Sequence, residues 1–327
     1  MAEKIILDVD TGSDDAVAIM TAVLSPDIQV EAVCTVAGNK SIEMTTENSL
    51  RVVQMLGCDV PVYRGCAEPL VKLLREERVP KQVPNIKLVV DGQEIQMHED
   101  YLDLPPAVND AQDIPAPVFY LNYLRQAAEP VTLVAVGPLT NLAVAFMLDP
   151  GIVEKVKRII VMGGGYKVTN ATPTAEFNIW YDPEAAQRVL NSGADVVFVP
   201  LDATHKACVS KADCAQLRLL GTRAGEFAAE LTEQRILLHN AFQPLEIPNA
   251  AAVHDALAVC YVIDPAVLKD VRRVHCAVGF RGLTEGQTII DPRFITAEKN
   301  CWFAFDADRE RFVAMLQGIL ALDEHAA

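Results

Sequence analysis

Short apolar runs alternate with helix-period segments along most of the chain, and this rhythm constrains the fold more than any other feature. Five runs are rich in Val and Ile and almost continuously apolar: Lys4–Val9, Gln29–Val36, Val131–Val136, Arg158–Met162 and Asp195–Pro200. Such runs are typical of strands covered on both faces, as in parallel sheets. Helical periodicity marks the intervening segments Asp15–Leu24, Ile42–Leu56, Val118–Ala128, Thr140–Leu148 and Pro183–Asn191. The alternation predicts an α/β fold, an open, doubly wound, mostly parallel sheet flanked by helices, with ligands at the carboxyl ends of the strands.

The rhythm is interrupted between residues 80 and 117, where six of the 19 prolines fall. Because the α/β pattern resumes afterwards, we interpret this stretch as a flap or long loop inserted into a single domain that spans residues 1–327. Residues 224–262 are predicted to be mostly helical. A short strand pair, Arg273–Val278 with Thr288–Asp291, and a final helix from about Asp308 complete the expected order.

Composition narrows the class of partner. The chain has 28 Lys and Arg against 44 Asp and Glu, a net charge of −16, which repels nucleic acid and anionic membrane. A neutral small molecule or a metal ion fits better. The most apolar stretch, Val131–Leu148, contains polar residues, and no signal peptide is recognisable, so no membrane association and a cytoplasmic location are expected. The eight cysteines form no CxxC pair and are expected to be reduced.

An acidic cluster follows the first predicted strand. Four of the eight residues from position 8 to position 15, where a strand gives way to a helix, are aspartates: Asp8, Asp10, Asp14 and Asp15. Bringing four carboxylates together costs several kcal/mol of repulsion unless a cation neutralises them, and hard oxygen ligands suit Ca²⁺ or Mg²⁺. Helix capping accounts for one or two of these residues but not for all four. An EF-hand is excluded because its twelfth position, counted from Asp8, is Ile19.

A second enzyme class shares part of this pattern. The opening Asp8-Val-Asp10-Thr resembles the DxDxT motif of haloacid-dehalogenase-type phosphatases, with Asp8 as nucleophile and Asp10 as acid. That alternative leaves Asp14 and Asp15 without a role.

Three later segments carry further candidate residues. The strand ending at Val136 is followed by a Gly-Pro turn, where backbone carbonyls are free to face a ligand. The Gly triplet after Met162 precedes Asn170 and the pair Glu176 and Asn178. This pair, at i and i+2 in an expected extended segment, would point to one side and suits vicinal hydroxyls. A plain turn and a polar surface loop are the alternatives.

The third segment is a His-Asp pair that opens an apolar helix. Asp255 could complete a metal cage, and His254 could donate a proton. A simple helix N-cap is the alternative interpretation.

In this order, five motifs resemble the inosine-uridine-preferring nucleoside hydrolase family. They are DVDTGSDDAVA, the TVAGN of Thr35–Asn39, VGPLTNLA, the MGGG block continued by EFNIWYDPEAA, and VHDALA. The resemblance covers almost the whole chain and implies the same α/β fold. It implies hydrolysis of the N-glycosidic bond of inosine-, uridine- or cytidine-type ribonucleosides to free base and ribose, in purine or pyrimidine salvage. It also implies a homodimer or homotetramer.

The resemblance assigns residue roles. It implies a Ca²⁺ site formed by the carboxylates of Asp10, Asp15 and Asp255 and the carbonyl of Val136. It places Met162 beside the sugar and His254 near the base as proton donor. The ribose-binding residues that it implies are Asp14, Asn39, Asn170, Glu176 and Asn178. In this scheme Asp10 is the general base, and His254 titrates near neutrality and protonates the leaving base.

Some features depart from the family pattern. The flap reads His98-Glu-Asp without the family's glycines, and the tail turn reads Thr284-Glu285-Gly286. A catalytically weak nucleoside-binding protein is therefore a further alternative. Four residues are candidate base contacts without assigned roles: Gln234, His239, Phe242 and Gln243. With carboxylates around the ribose and no phosphate loop, nucleoside monophosphates are expected to be poor substrates.

Overall fold

The computed structural model describes residues 2–78, 87–90, 93–291, 293, 295 and 298–325. The strands, in chain order, are β1 (Glu3–Val9), β2 (Ile28–Thr35), β3 (Val62–Arg64), β4 (Lys87–Val90), β5 (Gln93–Gln96), β6 (Val131–Ala135), β7 (Val156–Met162), β8 (Val196–Val199), β9 (Cys208–Ser210), β10 (Ala250–Ala252), β11 (Leu268–Val274), β12 (Cys276–Val278), β13 (Thr288–Ile290) and β14 (Cys301–Ala307). The helices are α1 (Ser13–Leu24), α2 (Ile42–Met55), α3 (Ala116–Gln126), α4 (Thr140–Leu148), α5 (Phe177–Tyr181), α6 (Pro183–Leu190), α7 (Leu201–Thr204), α8 (Lys211–Arg218), α9 (Arg223–Phe242), α10 (His254–Ile263) and α11 (Arg309–Leu320).

The central sheet has the strand order β11-β14-β8-β7-β6-β1-β2-β3. Neighbouring strands are parallel except β11, which runs antiparallel to β14 at one edge. The chain moves outward from β1 to β3 and then returns to β6 before moving the other way. The order therefore reverses between β1 and β6, and open α/β sheets bind ligands beside the carboxyl ends of strands at such a point.

The two faces of the sheet are buried in two separate hydrophobic cores. Side chains alternate along β1, so that Ile5, Leu7 and Val9 join one core with α1 and α10. Ile6 joins the other core, which includes residues of α3, α4 and α6. Burial on both faces explains why the strand sequences are continuously apolar.

The predicted fold class is confirmed, and the five predicted strands and five predicted helices are present with small shifts at their ends. The strand β14 was not predicted, and β10 interrupts the segment expected to be helical. The expected tail pair exists as β12 with β13, whereas Arg273 belongs to β11 in the main sheet. Part of the predicted flap, residues 80–86, 91 and 92, lies outside the described residues. No helix in the described ranges combines the length and the apolar character needed to cross a membrane.

Candidate active site

The start of α1 places two carboxylates at the end of β1. Asp15 accepts hydrogen bonds from the backbone amides of Gly12 (2.9 Å) and Asp10 (3.1 Å). It therefore caps the helix, which confirms that capping accounts for part of the acidic cluster. Asp14 lies beside it in the first turn and is also buried.

Asp10 follows β1 and is 1% exposed. Its Oδ2 accepts a 2.7 Å hydrogen bond from the backbone amide of Asn39, and its Oδ1 is buried without a hydrogen-bond partner among the described residues. Glycines surround the carboxylate, because a Cβ built on Gly38 would overlap Oδ2 and one built on Gly137 would lie 2.8 Å from Oδ1. A buried carboxylate oxygen with no partner is costly, so this atom is suited to a ligand.

α10 brings a further carboxylate to the same place from the other end of the chain. Asp14, Asp15 and Asp255 each present a carboxylate oxygen within 4.8 Å of the others, and all three are buried. Burial and the neighbouring acids raise the pKa of Asp255 well above its ordinary value, and burial with the charge of Asp14 raises that of Asp15 to about 7. Burial and the charge of Asp15 also raise the pKa of Asp10. This mutual repulsion is what a bound cation would relieve.

The predicted ribose residues converge on the same strand ends. Asn178 donates from Nδ2 to the carbonyl of Val136 (2.7 Å) and to that of Met162 (3.2 Å). Asn39 donates from Nδ2 to the carbonyl of Asp10 at 3.3 Å. Asn178 thereby joins the ends of β6 and β7, Asn39 binds the segment after β1, and both side chains line one cavity.

The local structure at Glu176 differs from the expected one. The segment is not extended, because Glu176 is the N-cap of α5 and accepts from the backbone amides of Gly164 (2.9 Å), Asn178 (2.8 Å) and Ile179 (3.1 Å). Its carboxylate is 2% exposed, and burial raises its pKa to about 7. The alternative of a polar surface loop is therefore wrong for Glu176 and Asn178, which are both buried.

A cavity of about 960 Å³ opens above these groups. It is lined by nine of the eleven predicted site residues: Asp14, Asn39, Val136, Met162, Asn170, Glu176, Asn178, His254 and Asp255. The other two, Asp10 and Asp15, are buried and are not part of the cavity lining. Of the four unassigned base candidates, His239, Phe242 and Gln243 line this cavity, whereas Gln234 lines a smaller neighbouring one.

His254 opens α10, but it is not the N-cap, which is Val253. Its Nδ1 shares a 2.7 Å hydrogen bond with Oγ1 of Thr204, and its ring centroid lies 6.3 Å from that of His239. Burial, followed by the positive charge of Arg235, lowers the pKa of His254 well below its ordinary value. This direction favours the neutral ring, and the role of His254 as proton donor to the leaving base stays a prediction.

Asp8 does not belong to the site. Because side chains alternate along β1, its carboxylate faces the opposite side of the sheet from Leu7 and Val9, where it accepts hydrogen bonds from Tyr120 Oη (2.9 Å) and Asn141 Nδ2 (3.0 Å). It is 1% exposed, and burial raises its pKa to about 7. It does not line the cavity, so the phosphatase alternative, which needs Asp8 as nucleophile, does not fit this structure.

The structure adds residues that the sequence interpretation missed. His98 of the flap lines the cavity despite the missing glycines, and its ring packs so closely on Gly12 that a Cβ there would overlap it. Trp180 also lines the cavity. The ammonium of Lys72 lies 3.2 Å from the Trp180 ring centroid and donates to the Trp180 carbonyl at 2.7 Å.

Arg235 of α9 is the other missed residue. It lines the cavity, is 4% exposed, and donates from Nη1 to Ser13 Oγ (3.0 Å) and Asp14 Oδ1 (3.1 Å). The only sequence signal was its position one turn before the candidate His239 on the same helix.

Known proteins resemble this chain over almost its full length. Residues 5–314 match the family described as inosine-uridine preferring nucleoside hydrolase. The chain is 38% identical over 305 residues to the inosine-uridine preferring nucleoside hydrolase of Leishmania major, covering 92% of this chain and 91% of that protein. It is 35% identical over 319 residues to the pyrimidine-specific ribonucleoside hydrolase RihA of Escherichia coli K12, covering 97% of each.

Solved structures also resemble this chain over almost its full length. The plant nucleoside hydrolase PpNRh1 superposes with a TM-score of 0.85 at 27% identity, covering 98% of this chain and 99% of that one. The purine-preferring ribonucleoside hydrolase of Gardnerella vaginalis superposes with a TM-score of 0.82 at 28% identity, covering 98% of each chain.

Proposed function

Since the chain belongs to the inosine-uridine preferring nucleoside hydrolase family, we propose that it cleaves ribonucleosides to base and ribose with a Ca²⁺ ion held by Asp10, Asp15 and Asp255. Its relatives make it an N-glycosidase. The geometry supports a separate role for each residue of the site. The observation that carries the proposal is the convergence of buried carboxylates from α1 and α10 at the strand ends of one cavity. Asp10 follows β1 there, and its buried Oδ1 has no hydrogen-bond partner in the part of the chain that the structure describes.

The donor set fits a hard cation. Carboxylates and a backbone carbonyl are the oxygen ligands that Ca²⁺ takes, and Asp10, Asp15, Asp255 and the Val136 carbonyl supply them. We assign Asp14 to the ribose instead, because its charge is already paired with Arg235 at 3.1 Å. When bound, the ion would neutralise the carboxylates, orient the sugar diol and acidify a water molecule.

The residues of the chain then take different roles in the reaction. Asp10 Oδ1 has no competing hydrogen bond from any residue that the structure describes, and it accepts the proton of the attacking water as general base. The buried carboxylates, including Glu176, stabilise the positive charge that develops on the ribose as the N-glycosidic bond breaks. The ribose hydroxyls are bound by Asp14, Asn39, Asn170, Glu176 and Asn178, with Met162 beside the sugar.

His254 lines the cavity beside His239, and we keep it as a base contact that orients the leaving group. The cytoplasmic location and the homodimeric or homotetrameric state stay predictions. A role in nucleoside salvage follows from the proposed products.

Release of free ribose tests the proposal directly. The enzyme is incubated with inosine and with uridine, before and after treatment with a chelator, and Ca²⁺ or Mg²⁺ is added back. We expect ribose in the untreated sample, loss on chelation, and recovery with Ca²⁺. Free ribose that is unaffected by chelation would contradict the metal assignment while leaving the hydrolase activity intact.

Thermal unfolding gives a second readout that needs no turnover. A ligand at 100 times its dissociation constant stabilises the folded state by about 2.7 kcal/mol, so Ca²⁺ should raise Tm. Asp255→Asn should abolish this rise, and Asp110→Asn, which changes an exposed carboxylate, should preserve it. An equal rise in both variants would place the ion elsewhere.

A further inference from the structure

The loop after β7 is held by side-chain oxygens from three other parts of the chain. It contains the Gly triplet, and it leads to the cavity wall at Asn170 and Glu176. Four successive backbone amides of this loop donate to carboxylates or a hydroxyl: Gly164 to Glu176 (2.9 Å), Gly165 to Thr288 (3.0 Å), and Tyr166 and Lys167 to Asp202 (2.6 and 2.9 Å). Of these three acceptors, only Glu176 lines the cavity.

Thr288 of β13 binds both backbone groups of Gly165. Its Oγ1 accepts from the Gly165 amide at 3.0 Å and donates to the Gly165 carbonyl at 2.7 Å, and the residue is 3% exposed. Its methyl group packs on Gly164, because a Cβ built there would lie 2.7 Å from the Thr288 Cγ2. Gly164 also has a φ of +76°, so glycine is required at this position both by the backbone conformation and by the Thr288 methyl group.

The segment that leads into β13 also contacts α5, on the other side of Glu176. Gly286, two residues before Thr288, packs on the backbone of Trp180, since a Cβ built on this glycine would lie 2.4 Å from the Trp180 Cα. The carboxylate of Glu176 joins the two contacted pieces, because it accepts hydrogen bonds from the loop after β7 and from the first turn of α5. The tail of the chain therefore packs against both elements that fix the orientation of Glu176.

Resting on the proposed function, we infer that Thr288 is a positioning residue for the ribose-binding part of the site. Thr288 does not line the cavity, so it acts on Glu176 through Gly164 and Gly165. Without the hydroxyl, Gly165 loses two buried hydrogen bonds, and the Gly164 amide beside it is held less firmly against the Glu176 carboxylate. Misplacement of a binding group by about 1 Å can cost about 10²-fold in rate, so the loss should appear in catalysis as well as in stability.

The test compares Thr288→Val and Thr288→Ser with wild type. Valine keeps the shape of the side chain and removes the hydroxyl, whereas serine keeps the hydroxyl and removes the methyl group. We expect kcat/KM for uridine, per folded molecule, to fall by about 10- to 100-fold in Thr288→Val and to stay within about 3-fold of wild type in Thr288→Ser. The rescue by serine would assign the effect to the two hydrogen bonds with Gly165.

Thr222→Val is the matched control. The Thr222 hydroxyl likewise accepts from a backbone amide, that of Gly225 at 3.1 Å, and donates to a carbonyl, that of Leu320 at 2.9 Å. Thr222 is the N-cap of α9, at the end of that helix remote from the residues that line the cavity. Its substitution should lower the free energy of unfolding and leave kcat/KM per folded molecule as in wild type.

A double-mutant cycle with Glu176→Gln separates positioning of Glu176 from a general structural role. If Thr288 acts through Glu176, Thr288→Val should cost less than about 3-fold in kcat/KM when residue 176 is already glutamine, because residues that act as a unit are not additive. Equal losses in the two backgrounds would overturn the inference. A loss in Thr288→Ser as large as in Thr288→Val, or a wild-type kcat/KM in Thr288→Val, would overturn it too.

A second variant covers the case in which Thr288→Val does not fold. Thr288→Ala also removes the hydroxyl, and it takes the place of valine in the same cycle with the same expected coupling. Additive losses or a wild-type kcat/KM in Thr288→Ala would count against the inference in the same way. Absence of ribose release from uridine and inosine by wild-type enzyme would instead refute the proposed function, and the inference with it.

Discussion

The backbone amide of Asn39 donates a 2.7 Å hydrogen bond to Oδ2 of Asp10, and it holds that carboxylate with Oδ1 buried and unpartnered among the described residues. Gly38 and Gly137 pack against the same carboxylate. The orientation of Asp10 is therefore set by backbone from the loops after β2 and β6, before any ligand arrives. Pre-organisation of this kind avoids reorganisation during the reaction.

Gly38→Ala should inactivate the enzyme. The added methyl would overlap Oδ2 of Asp10 and displace the carboxylate, and misplacement by about 1 Å can cost about 10²-fold in rate. The measurement is kcat/KM for inosine together with Tm. Gly318→Ala is the control, since a Cβ there meets nothing within 4 Å and alanine favours the α11 helix by up to about 1 kcal/mol. Near-normal kcat/KM in Gly38→Ala would show that Asp10 does not need this position.

Asp15→Asn should lower activity, whereas Asp8→Asn should lower stability. Asp15→Asn removes a charge from the proposed cation site and should lower kcat/KM by at least about 10²-fold. Asp8→Asn places an amide against two donors, Tyr120 and Asn141, and should cost about 1–3 kcal/mol of stability while activity per folded molecule is retained. Kinetics and urea unfolding of both variants check this. Greater inactivation by Asp8→Asn would revive the phosphatase chemistry.

Uridine should be cleaved at least about 100-fold more efficiently than uridine 5′-monophosphate. The carboxylates that surround the proposed ribose site repel a phosphate at close range. Two cationic side chains line the cavity, Arg235 and Lys40, and each is already paired with an aspartate, at 3.1 Å to Asp14 and at 2.7 Å to Asp100. Free ribose and ribose 5-phosphate are measured in parallel. Comparable kcat/KM values for the two substrates would contradict this electrostatic argument.

Lys72 predicts a pH dependence of stability. Burial lowers its pKa to about 8, against about 10.4 in an unfolded chain. Between these values the unfolded state binds a proton that the folded state has released, so the free energy of unfolding rises with pH. Relative to Lys72→Met, wild type should gain stability from pH 8 to pH 10 and show a constant difference below pH 7. Urea unfolding of both proteins measures the difference, and a flat profile across this range would contradict the assignment.

Local signals predicted much of the site. The carboxylates after β1 were recognisable because the apolar run and the aspartates adjoin in sequence, and parallel strands deliver their ends to one edge. Asp8 shows how a motif can mislead. It lies two residues from Asp10, yet strand alternation turns it into the opposite core, where Tyr120 and Asn141 satisfy it.

Contacts between residues far apart in the sequence could not be predicted from local sequence patterns. Arg235 pairs with Asp14 across 221 positions, and an arginine on a helix is ordinarily a solvent-exposed residue. Glu176 was expected in an extended segment, but its carboxylate instead caps α5 and binds Gly164 in another loop. β14 was missed because its partners β8 and β11 are settled only when the sheet assembles.

Helix α9 supplies one stretch of the cavity wall, whereas strand ends supply the carboxylates. The amino-acid sequence of one part can therefore change without a change in the other. Substitutions along one face of α9 would change the shape of the cavity wall and leave the carboxylates in place. Arg235 is the exception, since its hydrogen bond to Asp14 ties that face to the carboxylate cluster. Directed evolution of altered specificity should therefore find most of its tolerated changes at Leu238, His239 and Phe242.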